Sequence, residues 1–369
     1  MRTPLDKRCE RQKPKYQALK EYIIETIEQE GLKTGDKIWS ENELAKKFMV
    51  SRHTVRQAIG ELTNEGWLYK VHGKGTYVGE RIDQKSSKIK TIGVMTTYLD
   101  DYIFPSIILG MDQVLSKAGY NLVLGCTYNH HDKERVCLEN FIRSDIQGII
   151  IEPTKSALPN PNLDLYRQII DKGIPMFFIH GCYQELDCPY VVVDDTKAGY
   201  LATRYLIDLG HKSIGGIFKI DDIQGHYRFK GFQKALAEDG ISLKDSNILW
   251  FDTDDIGEEF IKLDHKKFEV LIKSCSAIIC YNDQVALKIV NAIKSMEMNI
   301  PDDISLVSFD DSQLAVVSEV KLTTVAHPQK KLGRLVAESL INKIDGREVK
   351  DKVKMEPELI VRDSAKEYE

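Results

Sequence analysis

From residue 91 to the C-terminus, short apolar runs alternate with segments whose apolar residues recur at helical spacing. Ile107, Met111, Val114 and Leu115 form one such helical stripe. The alternation predicts parallel β-sheets covered by helices on both faces. Because residues 91–369 are too many for one such sheet, we expect two similar α/β lobes. The predicted strands are residues 91–95, 121–126, 148–151, 176–179, 212–218, 277–280 and 305–309.

Residues 15–80 have a different pattern, that of three helices followed by a β-hairpin. Ser40 and Glu43 fit a capping box at the start of the second helix, and Ser51 caps the third. Two short strand-like runs then flank the turn sequence HGKG, which predicts a hairpin. The expected buried faces of the three helices are Tyr16, Leu19, Ile23 and Ile27; Leu44 and Phe48; and Val55, Ile59 and Leu62. The pattern predicts an α+β winged helix-turn-helix.

The third helix carries Arg52, His53 and Arg56 on the face opposite its apolar stripe. Two helices joined by a short turn, with arginines near the start of the second, are typical of a helix-turn-helix that enters the major groove. Arginine can bond bidentately to guanine there. The alternative is a solvated helix face without a specific partner.

The hairpin turn has one alternative interpretation, as a phosphate-binding loop. The sequence GKGT lacks the GxxxxGK[ST] spacing, and no helical pattern follows it, which disfavours a nucleotide site. As a DNA-binding wing, the turn would place Lys74 near the phosphates.

The stretch SENELAKKFMVSRHTVRQAIGELTNEGWLYKVHGKGTYV closely resembles the GntR family of winged helix-turn-helix regulators. It departs from that family at Trp39, where proline is usual, but the capping residues Ser40 and Glu43 are intact. Together with the wing residue Lys74, the DNA contacts that the resemblance implies are Lys15, Asn42, Arg52, His53, Thr54, Arg56, His72 and Gly73.

Residues 91–364 resemble another family, the effector domains of the LacI/GalR repressors and the periplasmic sugar-binding proteins. The resemblance lies in VDDTKAGYLATRYLIDLGHKSIGGI, RFKGFQKAL, CYNDQVALKIVNAI, IPDDISLVSFDDS, LTTVAHPQKKLG and ELIVRDS, which follow one another in the expected order. It implies two α/β lobes joined by crossing strands, with one sugar or purine bound in the cleft between them.

Several polar residues follow predicted strands, which is where open α/β sheets bind ligands. By position, Arg228, Asn282 and Asp310 match the main sugar contacts of that family, and Tyr102 or Phe104 matches its stacking aromatic. A sugar site needs charged or amide partners and an aromatic wall. The full expected set is Tyr98, Asp101, Tyr102, Phe104, Glu152, His180, Arg228, Asn282, Asp310 and His327.

Each of these residues also has an ordinary structural interpretation. An Asp or Asn after a strand can merely cap the next helix. Arg228 can form a surface ion pair with Glu238 instead of pointing into the cleft.

A GntR-type head on a LacI-type body is the architecture of the arabinose repressor family of Gram-positive bacteria. The stretches YIFPSIILGMD and EPTKSA resemble the same family. The resemblance implies a repressor that binds operator DNA and is released by a sugar, L-arabinose. We also expect a homodimer, because half-sites one helical turn or more apart require two heads. No cofactor and no metal are expected.

Composition and charge agree with this organisation. The chain has 369 residues, enough for two or three domains at about 150 residues each. Its net charge is −5, but residues 1–80 carry 15 Lys and Arg against 12 Asp and Glu, so the positive excess lies where DNA binding is expected. We expect a tail at 1–14, a DNA-binding domain at 15–80, a polar linker at 81–90 and the effector domain at 91–369.

The cysteines and the N-terminal residues indicate the cellular compartment of the protein. None of the seven cysteines forms a CxxC pair, which argues against a disulfide framework and a zinc site. The first fifteen residues lack the apolar stretch of a signal peptide, and no apolar run approaches the ~20 residues needed to span a bilayer. We therefore expect a cytoplasmic protein.

Two other functions are alternatives to a repressor. A sugar-binding transport or receptor protein leaves residues 15–80 unexplained. An enzyme with Cys182 or His180 as nucleophile is disfavoured, because no triad spacing, metal motif or Walker loop accompanies them.

Overall fold

The structure, a computed structural model, describes residues 14–71, 73–79, 90–99, 102–256 and 265–368. The chain divides into two compact units, one ending at Ile89 and one beginning at Lys90. The expected tail at 1–14 and the expected linker at 81–90 lie outside the described residues, apart from positions 14 and 90. No helix in the described part of the chain is long and apolar enough to cross a membrane.

The first unit consists of three helices and a two-stranded antiparallel hairpin. The helices are α1 (Lys15–Gln29), α2 (Glu41–Phe48) and α3 (Arg52–Asn64), and the strands are β1 (Leu68–Val71) and β2 (Gly75–Val78). Ser40 and Glu43 form the predicted capping box, and Ser51 accepts a hydrogen bond from the backbone of Thr54. Burial of the three apolar stripes against the hairpin makes one small core.

The second unit contains two six-stranded sheets, each covered by helices on both faces. The sheet orders are β13-β7-β6-β5-β3-β4 and β14-β12-β11-β10-β8-β9, and every pairing is parallel except β12 with β14. The elements are β3 (Lys90–Thr96), α4 (Phe104–Leu115), β4 (Tyr120–Cys126), α5 (His131–Arg143), β5 (Gly148–Ile151), α6 (Leu163–Asp171), β6 (Met176–Ile179), β7 (Tyr190–Val193), α7 (Asp195–Asp208), β8 (Ile214–Lys219), α8 (Ile223–Glu238), β9 (Ile248–Phe251), α9 (His265–Ser274), β10 (Ala277–Cys280), α10 (Asp283–Ser295), β11 (Ser305–Asp310), α11 (Gln313–Val317), β12 (Thr323–Ala326), α12 (Gln329–Ile344), β13 (Lys352–Met355) and β14 (Glu358–Ile360).

The chain crosses between the two sheets three times: after β7, after β12 and after β13. The sheet containing β3 is therefore the first lobe and the sheet containing β8 is the second. All seven predicted strands are present, and the two-lobed parallel architecture is confirmed. Five further strands were not predicted, β7, β9, β12, β13 and β14, and all of them except β9 flank the crossings.

Close helix pairs lie beside both sheets. A Cβ on Gly199 of α7 would lie 2.0 Å from the carbonyl oxygen of Arg228 on α8, and a Cβ on Gly110 of α4 would lie 2.4 Å from that of Lys330 on α12. Only glycine permits such an approach. Because α7 begins at Asp195, the contact at Gly199 brings Asp195 and Arg228 together at the cleft.

Candidate effector cleft and DNA-binding surface

A cavity of about 420 Å³ lies between the lobes, at the carboxyl ends of strands from both sheets. Its size is within the range of small-ligand sites. Nine of the ten expected effector-binding residues line it: Tyr98, Tyr102, Phe104, Glu152, His180, Arg228, Asn282, Asp310 and His327. The tenth, Asp101, lies outside the described residues.

A larger cavity, of about 620 Å³, lies elsewhere in the second lobe. Its wall is mostly apolar, with Leu249 and Trp250 among the lining residues. An apolar wall offers few partners for hydroxyl groups, so the smaller, polar cavity is the better sugar site.

Arg228 occupies the second-lobe side of the cleft and is 4% exposed. Its Nε donates to Asp195 Oδ1 at 2.9 Å and its Nη1 to the carbonyl oxygen of Tyr281 at 2.6 Å, while Nη2 lies 3.6 Å from Asp310 Oδ1. Burial acts to lower the pKa of Arg228, but the two carboxylates raise it above its ordinary value. The guanidinium is thus a fixed, charged fork at the ligand cavity.

The alternative surface ion pair between Arg228 and Glu238 does not form. Glu238, at the other end of α8, accepts a hydrogen bond from Tyr200 Oη at 2.8 Å and lies 3.8 Å from Lys234 Nζ. Arg228 lies in the second turn of α8, and its side chain points towards α7 and the cleft instead.

The first-lobe side of the cleft holds a buried acid–imidazole pair. Glu152 Oε1 lies 2.9 Å from His180 Nδ1, and Glu152 Oε2 accepts from the backbone N–H of Thr97 at 2.7 Å. Burial acts to lower the pKa of His180, but the hydrogen bond and charge of Glu152, with the charges of Asp310 and Asp195, raise it. The pair fixes the imidazole with Nδ1 on Glu152 and leaves Nε2 for another partner.

His327 faces His180 across the cleft, with ring centroids 4.9 Å apart. Burial, with the positive charges of His180 and Arg228, holds the pKa of His327 well below its ordinary value. Three buried ring nitrogens, His180 Nε2 and both nitrogens of His327, have no hydrogen-bond partner among the described residues. A neutral imidazole offers one donor and one acceptor, which is the pairing that a hydroxyl group needs.

Asp310 is the last residue of β11, and Asn282 lies two residues after the end of β10. Tyr102 Oη donates a hydrogen bond to Asp310 Oδ2, which joins the two lobes at the cleft. Asn282 lines the cavity and also caps α10, since its Oδ1 accepts from the backbone N–H of Val285 at 2.9 Å. For Asn282 the helix-capping and cavity-lining interpretations therefore both hold.

Other residues of the cavity wall were not predicted. Lys219 is the last residue of its strand rather than the residue after it. Asp195, which holds Arg228 but does not line the cavity, follows β7, a strand that the sequence pattern did not reveal. Tyr281 precedes Asn282, and its hydroxyl donates to Asp222 Oδ2 at 2.7 Å. The remaining lining residues are Thr97, Ile103, Asp222, Gln224, Thr253 and Gln284. The VDD and CYND stretches held the signal for Asp195 and Tyr281.

The first unit presents the expected DNA-binding residues on α1, α2, α3 and the hairpin turn. Lys15, Asn42, Arg52, His53, Arg56, Gly73 and Lys74 are exposed, Thr54 is half-buried, and His72 lies outside the described residues. Arg52 and His53 have no side-chain partner within the part of the chain that the structure describes. They stand at the first turn of α3, directly after Ser51, where a major-groove helix makes its base contacts.

Arg56 is less free than Arg52. Its Nε lies 2.8 Å from Glu41 Oε2, and the other oxygen of Glu41 lies 3.0 Å from Lys70 Nζ on β1. The ion pairs raise the pKa of Arg56 and lower that of Glu41. They link α2, α3 and the hairpin at the surface of the first unit.

Comparison with known proteins gives matches to both units. Residues 15–78 match the model of the bacterial regulatory proteins of the gntR family, and residues 203–365 match that of the periplasmic binding protein-like domain. In the solved structures, transcription regulator CcpA of Lactococcus lactis superposes with a TM-score of 0.68 at 23% identity, over 76% of this chain and 100% of that chain. The structural similarity to CcpA shows the fold of the second unit.

Two curated relatives match nearly the whole chain. The arabinose metabolism transcriptional repressor of Halalkalibacterium halodurans is 42% identical over 96% of this chain and 97% of its own length. That of Geobacillus stearothermophilus is 42% identical over 96% of this chain and 98% of its own length. These matches confirm the expectation of a regulator rather than an enzyme. The chain belongs to the family of arabinose metabolism transcriptional repressors, with a GntR-type winged helix-turn-helix and a periplasmic-binding-protein-like effector domain.

Proposed function

We propose that this protein, acting in the cytoplasm, represses genes of arabinose use by binding operator DNA, and that L-arabinose in the cleft releases it. Residues 15–80 bind DNA, residues 91–369 bind the sugar, and residues 81–90 carry the coupling between them. The names of the two full-length relatives support the regulated process.

The observation that carries the sugar-binding proposal is the set of unpaired polar atoms in the cleft. His180 Nε2 and the two ring nitrogens of His327 are buried without partners among the described residues. Leaving a buried polar atom unpaired costs about 1–3 kcal/mol, so a ligand that satisfies all three gains that energy. Adjacent hydroxyl groups fit them, with Arg228 as donor and Asp310 as acceptor on the opposite wall.

The DNA-binding proposal is supported by the exposed start of α3. Arg52 and His53 project from a helix whose opposite face is packed in the core. The charges of Lys15 on α1 and Lys74 on the hairpin turn suit phosphate contacts on either side of a groove. Arg56 reaches DNA by exchanging Glu41 for a base or a phosphate, since the ion pair is exposed and weak.

We further propose a homodimer through the first lobe. Strand β4 pairs only with β3 among the described strands, and its Val123 and Leu124 are exposed. Leu109 on α4 and Val136 on α5, the helices beside it, are exposed as well. An apolar patch at a free sheet edge is unusual on a monomer surface. A second copy would cover it and supply the second head that a two-half-site operator needs.

Sedimentation of the full-length protein tests the dimer. The wild type is expected to sediment as a dimer at micromolar concentration, and Leu124→Lys as a monomer that binds operator more weakly. The control is Ile170→Lys, at another exposed apolar position in the same lobe, which should stay dimeric. A wild type that remains monomeric with operator present would contradict the proposal.

A gel-shift experiment tests the main proposal. The full-length protein is first used to select its operator from random DNA, and the complex is then titrated with L-arabinose, D-xylose, D-ribose and D-galactose. L-arabinose is expected to release the operator at the lowest concentration. Sugar binding by a protein that selects no operator would favour a sugar receptor instead, and release by another sugar alone would replace the assigned effector.

A further inference from the structure

The two lobes also touch at the edge of the ligand cavity, at a contact formed by Asn129, Asp221 and Thr253, of which only Thr253 lines the cavity. Asn129 follows β4 in the first lobe, and the other two follow β8 and β9 in the second. Asn129 Nδ2 donates to Asp221 Oδ2 at 3.4 Å and to Thr253 Oγ1. Thr253 donates to the same Asp221 oxygen from its backbone N–H at 3.1 Å and from its hydroxyl at 2.6 Å. We call these three residues the interlobe latch.

The latch is buried, and the backbone and side chain of Asn129 are held in a defined conformation. Asn129 and Asp221 are each 2% exposed. Tyr128 and Asn129 have φ of 47° and 56°, a left-handed conformation that asparagine tolerates better than most residues. The loop is held there because Asn129 Oδ1 accepts from the backbone N–H of Lys155 at 2.6 Å. Contacts within the first lobe therefore orient the Asn129 amide towards the second lobe.

A second pair of contacts crosses the lobes beside the latch. Ser156 Oγ donates to Asp222 Oδ1 at 2.9 Å and accepts from the backbone N–H of Ile223 at 2.9 Å. The backbone N–H of Ala157 donates to the carbonyl oxygen of Asp221 at 3.3 Å. These hydrogen bonds protect the N–H groups of Ile223 and Ala157 only while the lobes are together, so their exchange with solvent reports opening.

We propose that the interlobe latch sets the balance between open and closed lobes independently of any ligand. Asn129 and Asp221 do not line the ligand cavity. When only the closed form binds ligand tightly, the apparent dissociation constant is the intrinsic constant divided by the closed fraction. Loss of the latch then weakens sugar binding without removing a sugar contact. This last consequence rests on the proposed function, whereas the effect on lobe opening does not.

The test uses four variants of the full-length protein. Asn129→Gly removes the amide and suits the left-handed backbone. Asn129→Asp places a carboxylate against that of Asp221. The double variant Asn129→Asp with Asp221→Asn restores one amide facing one carboxylate, in reverse. Asn291→Asp, at an exposed position on α10, is the matched control for the asparagine-to-aspartate change.

Hydrogen exchange without ligand is measured on peptides that contain Ala157 and Ile223. We expect exchange to be about fivefold faster or more in both single variants at Asn129, and close to wild type in the double variant and the control. The apparent dissociation constant for L-arabinose, measured by calorimetry, is expected to rise in the same order. Circular dichroism establishes that each variant is folded.

The two proposals fail in different ways. Wild-type exchange in Asn129→Gly and Asn129→Asp overturns the latch, even when the sugar binds as proposed. Faster exchange that the double variant does not reverse also overturns it, because the change would then come from general loosening. If no sugar binds the wild type while the exchange pattern holds, the latch stands and the proposed effector is wrong.

Discussion

Replacement of Arg228 by methionine separates the role of this side chain in folding from its role in sugar binding. The change removes the buried ion pair with Asp195 and the hydrogen bond to the Tyr281 carbonyl. Breaking a buried ion pair by removing one partner costs about 3–5 kcal/mol, because the other charge stays buried and unpaired. We therefore expect the effector unit of Arg228→Met to unfold at a clearly lower urea concentration than the wild type.

The same change should abolish release by sugar. Each lost charge-assisted hydrogen bond to a hydroxyl costs about 1.5–3 kcal/mol, so sugar affinity should fall at least about tenfold. Operator binding should persist at urea concentrations below the unfolding transition, because the proposed DNA-binding residues belong to the other unit. The assay is a gel shift with increasing L-arabinose, beside urea unfolding followed by fluorescence.

Two further variants make the result decisive. In the double variant Arg228→Met with Asp195→Asn, both charges are gone, so much of the lost stability should return while sugar release should not. Lys234→Met on the same helix removes an exposed ion pair with Glu238, 3.8 Å long, and should cost under about 1 kcal/mol with normal release. Release of Arg228→Met at the wild-type sugar concentration would show that Arg228 is outside the site. A double variant no more stable than the single one would refute the buried-charge argument.

Three other outcomes are expected. The pKa of His327 is well below its ordinary value in the folded protein, so the unfolded chain binds the extra proton and stability falls as the pH drops through about 6.5. His327 alone lowers the free energy of unfolding by about 1.4 kcal/mol for each pH unit below that value. The raised pKa of His180 has the opposite effect, because the folded chain then binds the extra proton. In urea unfolding, the stability of His327→Gln should fall less steeply with decreasing pH than that of the wild type. An unchanged dependence of stability on pH would contradict this assignment. Arg52→Ala should relax base preference at one operator position, whereas Lys15→Ala should weaken all sequences alike and lower the salt slope by about one, both measured by binding titration. If Arg52→Ala keeps the base preference of the wild type, α3 is not the recognition helix. Operator DNA should weaken sugar binding by the same factor by which sugar weakens operator binding, and identical calorimetric titrations with and without operator would exclude coupling.

Sequence alone determined the local elements and the order of the two units. The apolar stripes of α1, α2 and α3 follow a 3.6-residue period, and the caps at Ser40 and Ser51 depend on neighbours three residues away. The buried strands of the parallel sheets are continuous apolar runs bounded by polar residues. Such signals are local, so the chain displays them before it folds.

The strands at the crossings were harder to find for a physical reason. Strands β13 and β14 lie at the outer positions of their sheets and are three or four residues long. Apolar residues alternate with lysines in β13, and β14 begins with a glutamate. Their pairing partners are far away in sequence, β7 for β13 and β12 for β14. Strand formation there depends on the neighbouring strand more than on the residues themselves.

In the cleft, too, some features follow from the sequence and others appear only in the structure. Residue type and position after a strand were enough to place Glu152, His180 and Asp310 in its wall, because parallel strands end at one edge of a sheet. The pairing of Arg228 with Asp195 required the close approach of α7 and α8, and the opposite pKa shifts of His180 and His327 required their burial beside different charges. The interlobe latch joins Asn129 to residues more than ninety positions away. Sequence thus specified which chemical groups are available, whereas the tertiary structure decided which of them meet, since burial and long-range contact exist only in the folded chain.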